Sequence, residues 1–260
     1  MNRAPYRLIW FQHLHKAAGS TIVKLALLNG ERLDPHHQNG NPADARGEML
    51  PIWEYAPEQL KQFIDDCEAR QITFVATEWG LPNVEFLATD PRVVLFTCIR
   101  EPLERLRSNY QFDYLFGYSP HDNVRDFINS DKTHTMHNYY CRIFSRHYHD
   151  PAPIEERHYQ SALRAVQCFD HALVLERADC MQSFARIFGW DKQLPERINS
   201  TFSYKRLLLY FMQGKWGMIR RFIALKSDKF DEPTRQWLTA ENRWDLQLYQ
   251  MICEPNRQAR

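Results

Sequence analysis

The feature that most constrains this chain is an alternation of short, uniformly apolar runs with longer segments of helical period. "RLIWFQHL" (7–14), "ITFVAT" (72–77), "RVVLFTCI" (92–99) and "HALVLE" (171–176) are rich in β-branched or aromatic residues and carry little polar alternation. Runs of that kind read as strands covered on both faces, the situation of a parallel sheet. Between them lie helical patterns from Pro57 to Arg70, from Pro102 to Phe116 and from Glu155 to Val166, and another runs from Ile22 to Leu28. Strand and helix in turn predict an α/β fold with a central parallel β-sheet flanked by helices. A last helix over Pro233 to Cys253 carries Trp237, Leu238, Trp244, Leu248 and Ile252, enough apolar surface to dock on the body.

Composition sets the limits within which that pattern operates. With 260 residues and 44% hydrophobic content, the chain can bury a proper core, and one domain over 1–260 is expected. The 33 basic and 32 acidic side chains nearly cancel, which gives no reason to expect a nucleic-acid or membrane partner. Any anion must then be met by a local cluster. No apolar run is long enough to span a bilayer and the N-terminal stretch lacks a signal-peptide core, so a soluble, cytoplasmic protein is expected. The cysteines (Cys67, Cys98, Cys141, Cys168, Cys180, Cys253) form no Cys-x-x-Cys pair and suit reduced thiols, mostly small core residues.

Two segments break the alternation. Asn29 to Ala56 is rich in Gly, Pro, Asn and Asp and reads as one long loop of the kind that forms lids or binding loops. Tyr204 to Phe230 is aromatic and basic, and its apolar residues favour a packing helix over one that lies across a ligand.

The first apolar run ends in "HLHKAAGST", which then enters a helix. A strand-to-helix loop gathers backbone N–H groups and the positive end of a helix dipole at one point, and that point favours a phosphate-like anion. Lys16 adds a charge, Gly19 lets the backbone approach closely, and Ser20 and Thr21 add hydroxyl donors. The spacing is not that of a Walker A loop, whose Lys directly precedes the hydroxyl residue. No strand ends in an evident Mg²⁺-holding Asp either, which disfavours a metal-dependent kinase or NTPase.

These residues resemble the 5′-phosphosulfate loop of sulfotransferases that use 3′-phosphoadenosine 5′-phosphosulfate (PAPS), in particular the membrane-type carbohydrate branch, where the loop commonly reads H-I-P-K-T-A-G-[ST]-[ST]. His13, Lys16, Gly19, Ser20 and Thr21 fall on that pattern; His15 stands where Pro is usual and Ala17 where Thr or Ser is usual. A second stretch, "RVVLFTCIREPLERLRSNYQFDY", is similar to the family's 3′-phosphate element, with Arg100, Pro102 and Ser108 at the matching spacing. Pro102 suits a first helical turn, and Ser108 then lies about 9 Å further along the axis than Pro102. The plainer alternative for Arg100 is an ion pair with Glu101 or Glu104. Weaker likenesses in "HNYYCRIFS", "FDHALVLERADCMQSFARIFGW" and "ENRWDLQLYQ" extend the resemblance over about residues 7 to 253.

The resemblance implies a P-loop-like three-layer domain and a PAPS-dependent sulfotransferase whose product is adenosine 3′,5′-bisphosphate (PAP), with no metal. It places His15, Lys16, Ala17, Ala18, Gly19, Ser20 and Thr21 on the 5′ side and Arg100 and Ser108 on the 3′-phosphate, with Lys16 stabilising the leaving group. In-line sulfuryl transfer also needs a base. Glu78, at the end of "FVATE", is the choice, with His13 and His15 as rivals. The spacings of His134, His137, His147, His149 and His158 match no tight zinc motif, so no metal is expected there. The acceptor stays open between a carbohydrate hydroxyl, a hydroxylated small metabolite and a nitrogen nucleophile, as does oligomeric state. Trp53, Tyr55, Trp79, Tyr139 and Tyr140 suit either a ring-bearing or cationic acceptor or ordinary packing. A non-catalytic nucleotide-binding module and a kinase-like phosphotransferase are the competing readings.

Overall fold

The computed structural model describes residues 5–128, 132–194, 211–225 and 230–254. Strands β1 (Leu8–Gln12), β4 (Phe74–Thr77), β5 (Val93–Ile99) and β6 (His171–Val174) form one sheet in the order β4-β1-β5-β6, and every pair is parallel. Each strand is apolar on both sides because both sides are covered. Leu8, Trp10, Val75 and Leu95 face a core shared with Leu60 and Ile64 of α2 (Pro57–Ala69), with α6 (Tyr139–Phe144) and with α7 (Glu156–Gln167). Their neighbours Ile9, Phe11, Phe74 and Phe96 face the other way, onto Ile22 and Leu25 of α1 (Gly19–Leu28) and Phe184 and Phe188 of α8 (Cys180–Phe188). The period-2 alternation of side chains thus sorts one apolar run into two cores, giving helix, sheet and helix layers.

Helix starts follow local chemistry. Pro57 opens α2, and Gln59 Oε1 accepts from the Ala56 amide at 2.9 Å. Pro102 opens α4 (Pro102–Phe116), where the Glu101 carboxylate accepts from the Glu104 amide at 2.7 Å. All six cysteines are free thiols, with Cys67, Cys98, Cys141 and Cys180 buried. Among the described residues no helix is long and apolar enough to cross a membrane.

Three segments differ from expectation. The stretch 29–56 is anchored rather than free: β2 (His37–Gln38) and β3 (Asn41–Pro42) form a small hairpin, and the Ala76 amide of β4 donates to Gly40 O at 3.0 Å. Trp53 lies so close to Gly80 that a Cβ there would come within 2.5 Å of the indole ring. The C-terminal helix is two helices, α10 (Glu232–Glu241) and α11 (Arg243–Cys253), because Asn242 leaves the helical path to bond elsewhere. Its Oδ1 accepts from the Asn138 amide at 3.0 Å, while Asn138 Oδ1 accepts from the Trp244 amide at 3.1 Å. Asp245, buried in α11, then accepts from the amides of Tyr140 and Cys141 at 2.9 and 2.8 Å, capping α6. Of the aromatic and basic stretch, residues 204–210 and 226–229 lie outside the described residues. Its described helix α9 (Trp216–Ala224) leaves Trp216 64% and Ile223 66% exposed, so these apolar residues do not supply the expected burial. It meets α4 through Arg221, whose guanidinium donates to Tyr114 O at 2.8 Å.

Candidate active site

The chain crosses from one side of β1 to the other between β4 and β5. The loops that leave β1 and β5 therefore diverge at the carboxyl edge of the sheet, the crevice where open α/β sheets collect ligands. Gln12 is in register with both Thr77 and Thr97, so His13 and Glu78 emerge at one level and Arg100 follows a few residues above it. Two adjacent tyrosines of α6 fix both loops. Tyr139 Oη accepts from the His15 amide at 2.9 Å, and Tyr140 Oη accepts from the Arg100 amide at 3.0 Å while donating to Arg100 O at 2.7 Å. The Arg105 guanidinium stacks 4.3 Å from the centre of the Tyr139 ring. Tyr139 and Tyr140 are thus buried clamps; of the aromatic residues expected near an acceptor, Trp79 is the one left half exposed.

The loop between β1 and α1 carries left-handed backbone at Lys16 (φ 63) and Ala18 (φ 65), a rare conformation outside glycine. The His15 amide is committed to Tyr139 and the Ala17 amide to Leu14 O at 3.0 Å, so these two amides are engaged within the protein. Ala18, Gly19 and Ser20 open α1, where N–H groups have no helical acceptor. Lys16 Nζ lies 3.8 Å from the centre of the Phe112 ring. Ser20 is exposed and Thr21 half-buried.

Gly19 serves a different purpose from the one its motif suggests. A Cβ at this position would stand 1.7 Å from His13 Nε2, so the missing side chain is replaced by the imidazole of this chain rather than by approaching ligand. His13 is buried, stacks on Phe11 at 5.6 Å, and points its ring into the first turn of α1.

Glu78 is held between two imidazoles. Its Oε2 lies 3.2 Å from His13 Nδ1 and its Oε1 3.3 Å from His15 Nδ1. Burial would raise the carboxyl, but the two histidines outweigh it and hold Glu78 well below the usual carboxylate range. Burial lowers His15, and this outweighs its hydrogen bond to Glu78. A carboxylate so placed stays ionised and is a weak proton acceptor, but it orients imidazoles well. The two imidazoles thus act on Glu78 in the direction opposite to the desolvation expected of a base.

On the other side, Arg100 is held by acids. Its Nε lies 3.5 Å from Glu176 Oε1 and its Nη2 3.9 Å from Glu104 Oε2, so Glu104 is a partner as the plainer alternative had it, joined by the distant Glu176. The Nε is buried yet makes no hydrogen bond to protein. Ser108 is half-buried on α4.

Sequence reasoning missed Asp113 and the partner of His134. Asp113 Oδ2 lies 3.3 Å from His134 Nε2, and the His134 ring stands 4.6 Å from that of His15. A residue spaced like any acid on a helix gives no signal of this.

No protein-family model matches the chain, and no curated protein sequence does. Among solved structures the chain is similar to a retinol dehydratase in complex with androsterone and the inactive cofactor PAP, with a TM-score of 0.39 and 15% sequence identity over 97% of this chain and 84% of that one.

Proposed function

We propose that this protein is a PAPS-dependent sulfotransferase that moves a sulfuryl group to a hydroxyl of a small metabolite or carbohydrate, with a nitrogen acceptor left open. The observation that carries this reading is the meeting, at the carboxyl edge of a parallel sheet, of an amide-rich strand-to-helix loop and an arginine whose buried Nε has no hydrogen-bond acceptor. Both features fit a nucleotide with an anion at each end. Ala18, Gly19 and Ser20 offer amides at the positive end of α1, with Lys16, Ser20 and Thr21 supplying charge and hydroxyls beside them. Arg100 and Ser108 would hold the second phosphate, the guanidinium exchanging Glu176 and Glu104 for it. The bound donor supplies the transferable sulfuryl group and its phosphate leaving group, and Lys16 would offset the charge that develops there.

The proton of the attacking hydroxyl would pass to His13 Nε2, the imidazole atom directed at the first turn of α1. Glu78 beside His13 Nδ1 would hold the ring in place and stabilise its charged form. Glu78 therefore serves as the orienting acid of a dyad rather than as the base itself. The buried His13–Glu78 pair at the mouth of the loop supports an enzyme over a non-catalytic module.

Calorimetric titration with adenosine 3′,5′-bisphosphate, with and without Mg²⁺ and set against ATP, tests the reading. Binding at about micromolar Kd, independent of Mg²⁺ and weakened at least ~10-fold in Arg100→Ala, is expected. A preference for Mg²⁺-ATP would replace it with the phosphotransferase reading, and no nucleotide binding at all would overturn both.

A further inference from the structure

We propose that His15, His134 and Asp113 form a binding site for a divalent transition-metal ion of the zinc type, with one coordination position left open. One ring nitrogen of each histidine and one carboxylate oxygen of Asp113 lie within 4.8 Å of one another, the one such grouping among the described residues. The closest pair, His134 Nε2 and Asp113 Oδ2, is 3.3 Å apart. Two ligands about 2.0–2.1 Å from a tetrahedral ion stand ~3.3 Å apart, so this edge already has the needed length, and the third ligand requires only a modest approach.

The surroundings of the three residues favour a cation. His15 Nδ1 faces Glu78 Oε1, which makes it the protonated nitrogen, and its Nε2 is left as a buried lone pair with no hydrogen-bond partner. A carboxylate behind the far nitrogen of an imidazole is the outer partner that metal-bound histidines characteristically have, because it fixes the tautomer and strengthens the donor. A cation held among the three side chains would take up the His15 Nε2 lone pair and offset the charge of Asp113.

The ligands also rest on fixed supports. His134 O accepts from Arg105 Nη1 at 3.1 Å and from Asn109 Nδ2 at 3.0 Å, both on α4 one and two turns before Asp113. The His15 amide is held by Tyr139. Two imidazoles and one carboxylate with an open fourth position suit zinc or cobalt better than magnesium, which prefers an oxygen shell.

The test needs neither sulfate donor nor acceptor. Full-length protein stripped with a chelator is titrated with Co²⁺ and then Zn²⁺, reading the visible absorption of bound Co²⁺ and its displacement. One equivalent per chain is expected, with affinity falling at least ~10-fold in His134→Gln and in Asp113→Asn. His147→Gln serves as the control, since His147 sits 3.0 Å from Asp150 and against His158 in a separate surface group. Loss of binding in His147→Gln with retention in His134→Gln would overturn the assignment, as would the absence of a stoichiometric site in the unmutated protein. Should either site variant fail to fold, zinc anomalous scattering from crystals of the unmutated chain decides: a peak between His15, His134 and Asp113 supports the site, and its absence there refutes it.

Discussion

The two halves of the crevice are built on opposite plans. On the β1 side, His13, Glu78 and His15 are drawn inward, with the Glu78 carboxylate 3.2 and 3.3 Å from the two Nδ1 atoms and His13 Nδ1 making no hydrogen bond. On the β5 side, Arg100 stands at a more open edge among Glu104 and Glu176, at ion-pair distances of 3.9 and 3.5 Å and without a hydrogen bond at Nε. The first arrangement is organised before any ligand arrives and suits handling a proton. Under the proposed function the second would be an exchange site, in which an incoming anion displaces carboxylates. Tyr139 and Tyr140, neighbours on one turn of α6, tie the two together.

The largest effect should come from the organised side. Glu78→Gln should lower kcat for sulfuryl transfer by ~10²–10⁴ while leaving PAP affinity nearly intact, because the imidazole loses its orienting charge. Full retention of kcat would remove the dyad from the chemistry. Gly19→Ala comes next: its Cβ would meet the His13 ring, so a stability loss of about 1–3 kcal/mol and displacement of the imidazole are expected in a melting experiment. An unchanged Tm would show that the ring and the α1 turn are not packed as described.

The exchange side should respond more mildly and in the opposite direction. Glu176→Gln removes a carboxylate that competes for Arg100, so PAP should bind a few-fold more tightly by calorimetry, whereas Arg100→Ala weakens it. Weaker binding in Glu176→Gln would mean that the acid positions Arg100 instead of competing for it. The smallest effect is the pH response of stability. Glu78 titrates below its ordinary 4.5 in the folded chain, so its contribution is present above that value and lost as pH falls through the folded one. The Tm difference between the unmutated protein and Glu78→Gln should therefore narrow between about pH 5 and pH 3. A difference that widened on acidification would reverse the sign assigned to this carboxyl.

Much of the layer structure was legible in the chain. The apolar runs at 7–14, 72–77, 92–99 and 171–176 each contain a strand of the sheet, and Pro102 to Phe116 is a helix with those ends. The C-terminal pattern was harder to read, because Asn242 is an ordinary helix-compatible residue until Asn138 offers it a reciprocal bond 104 positions away. Gly19 was legible as a position that admits no side chain, but the sequence suggested room for a ligand where the fold places His13. Tyr139 and Tyr140 carried the same ambiguity, since a tyrosine that clamps a loop and one that stacks on an acceptor have the same neighbours in sequence.

By itself the sequence determined most of the elements and the two loops proposed to meet an anion, because hydrophobic period, proline position and turn chemistry act over a few residues. Tertiary structure alone decided which charged and polar groups face one another: His15 and His134 lie 119 positions apart in number, and Glu78, Asp113 and Glu176 come from different elements. Their spacing in the chain is free as long as the sheet brings the ends together. What each side chain does is set by desolvation and by partners within a few ångströms, and those are consequences of packing rather than of order along the chain.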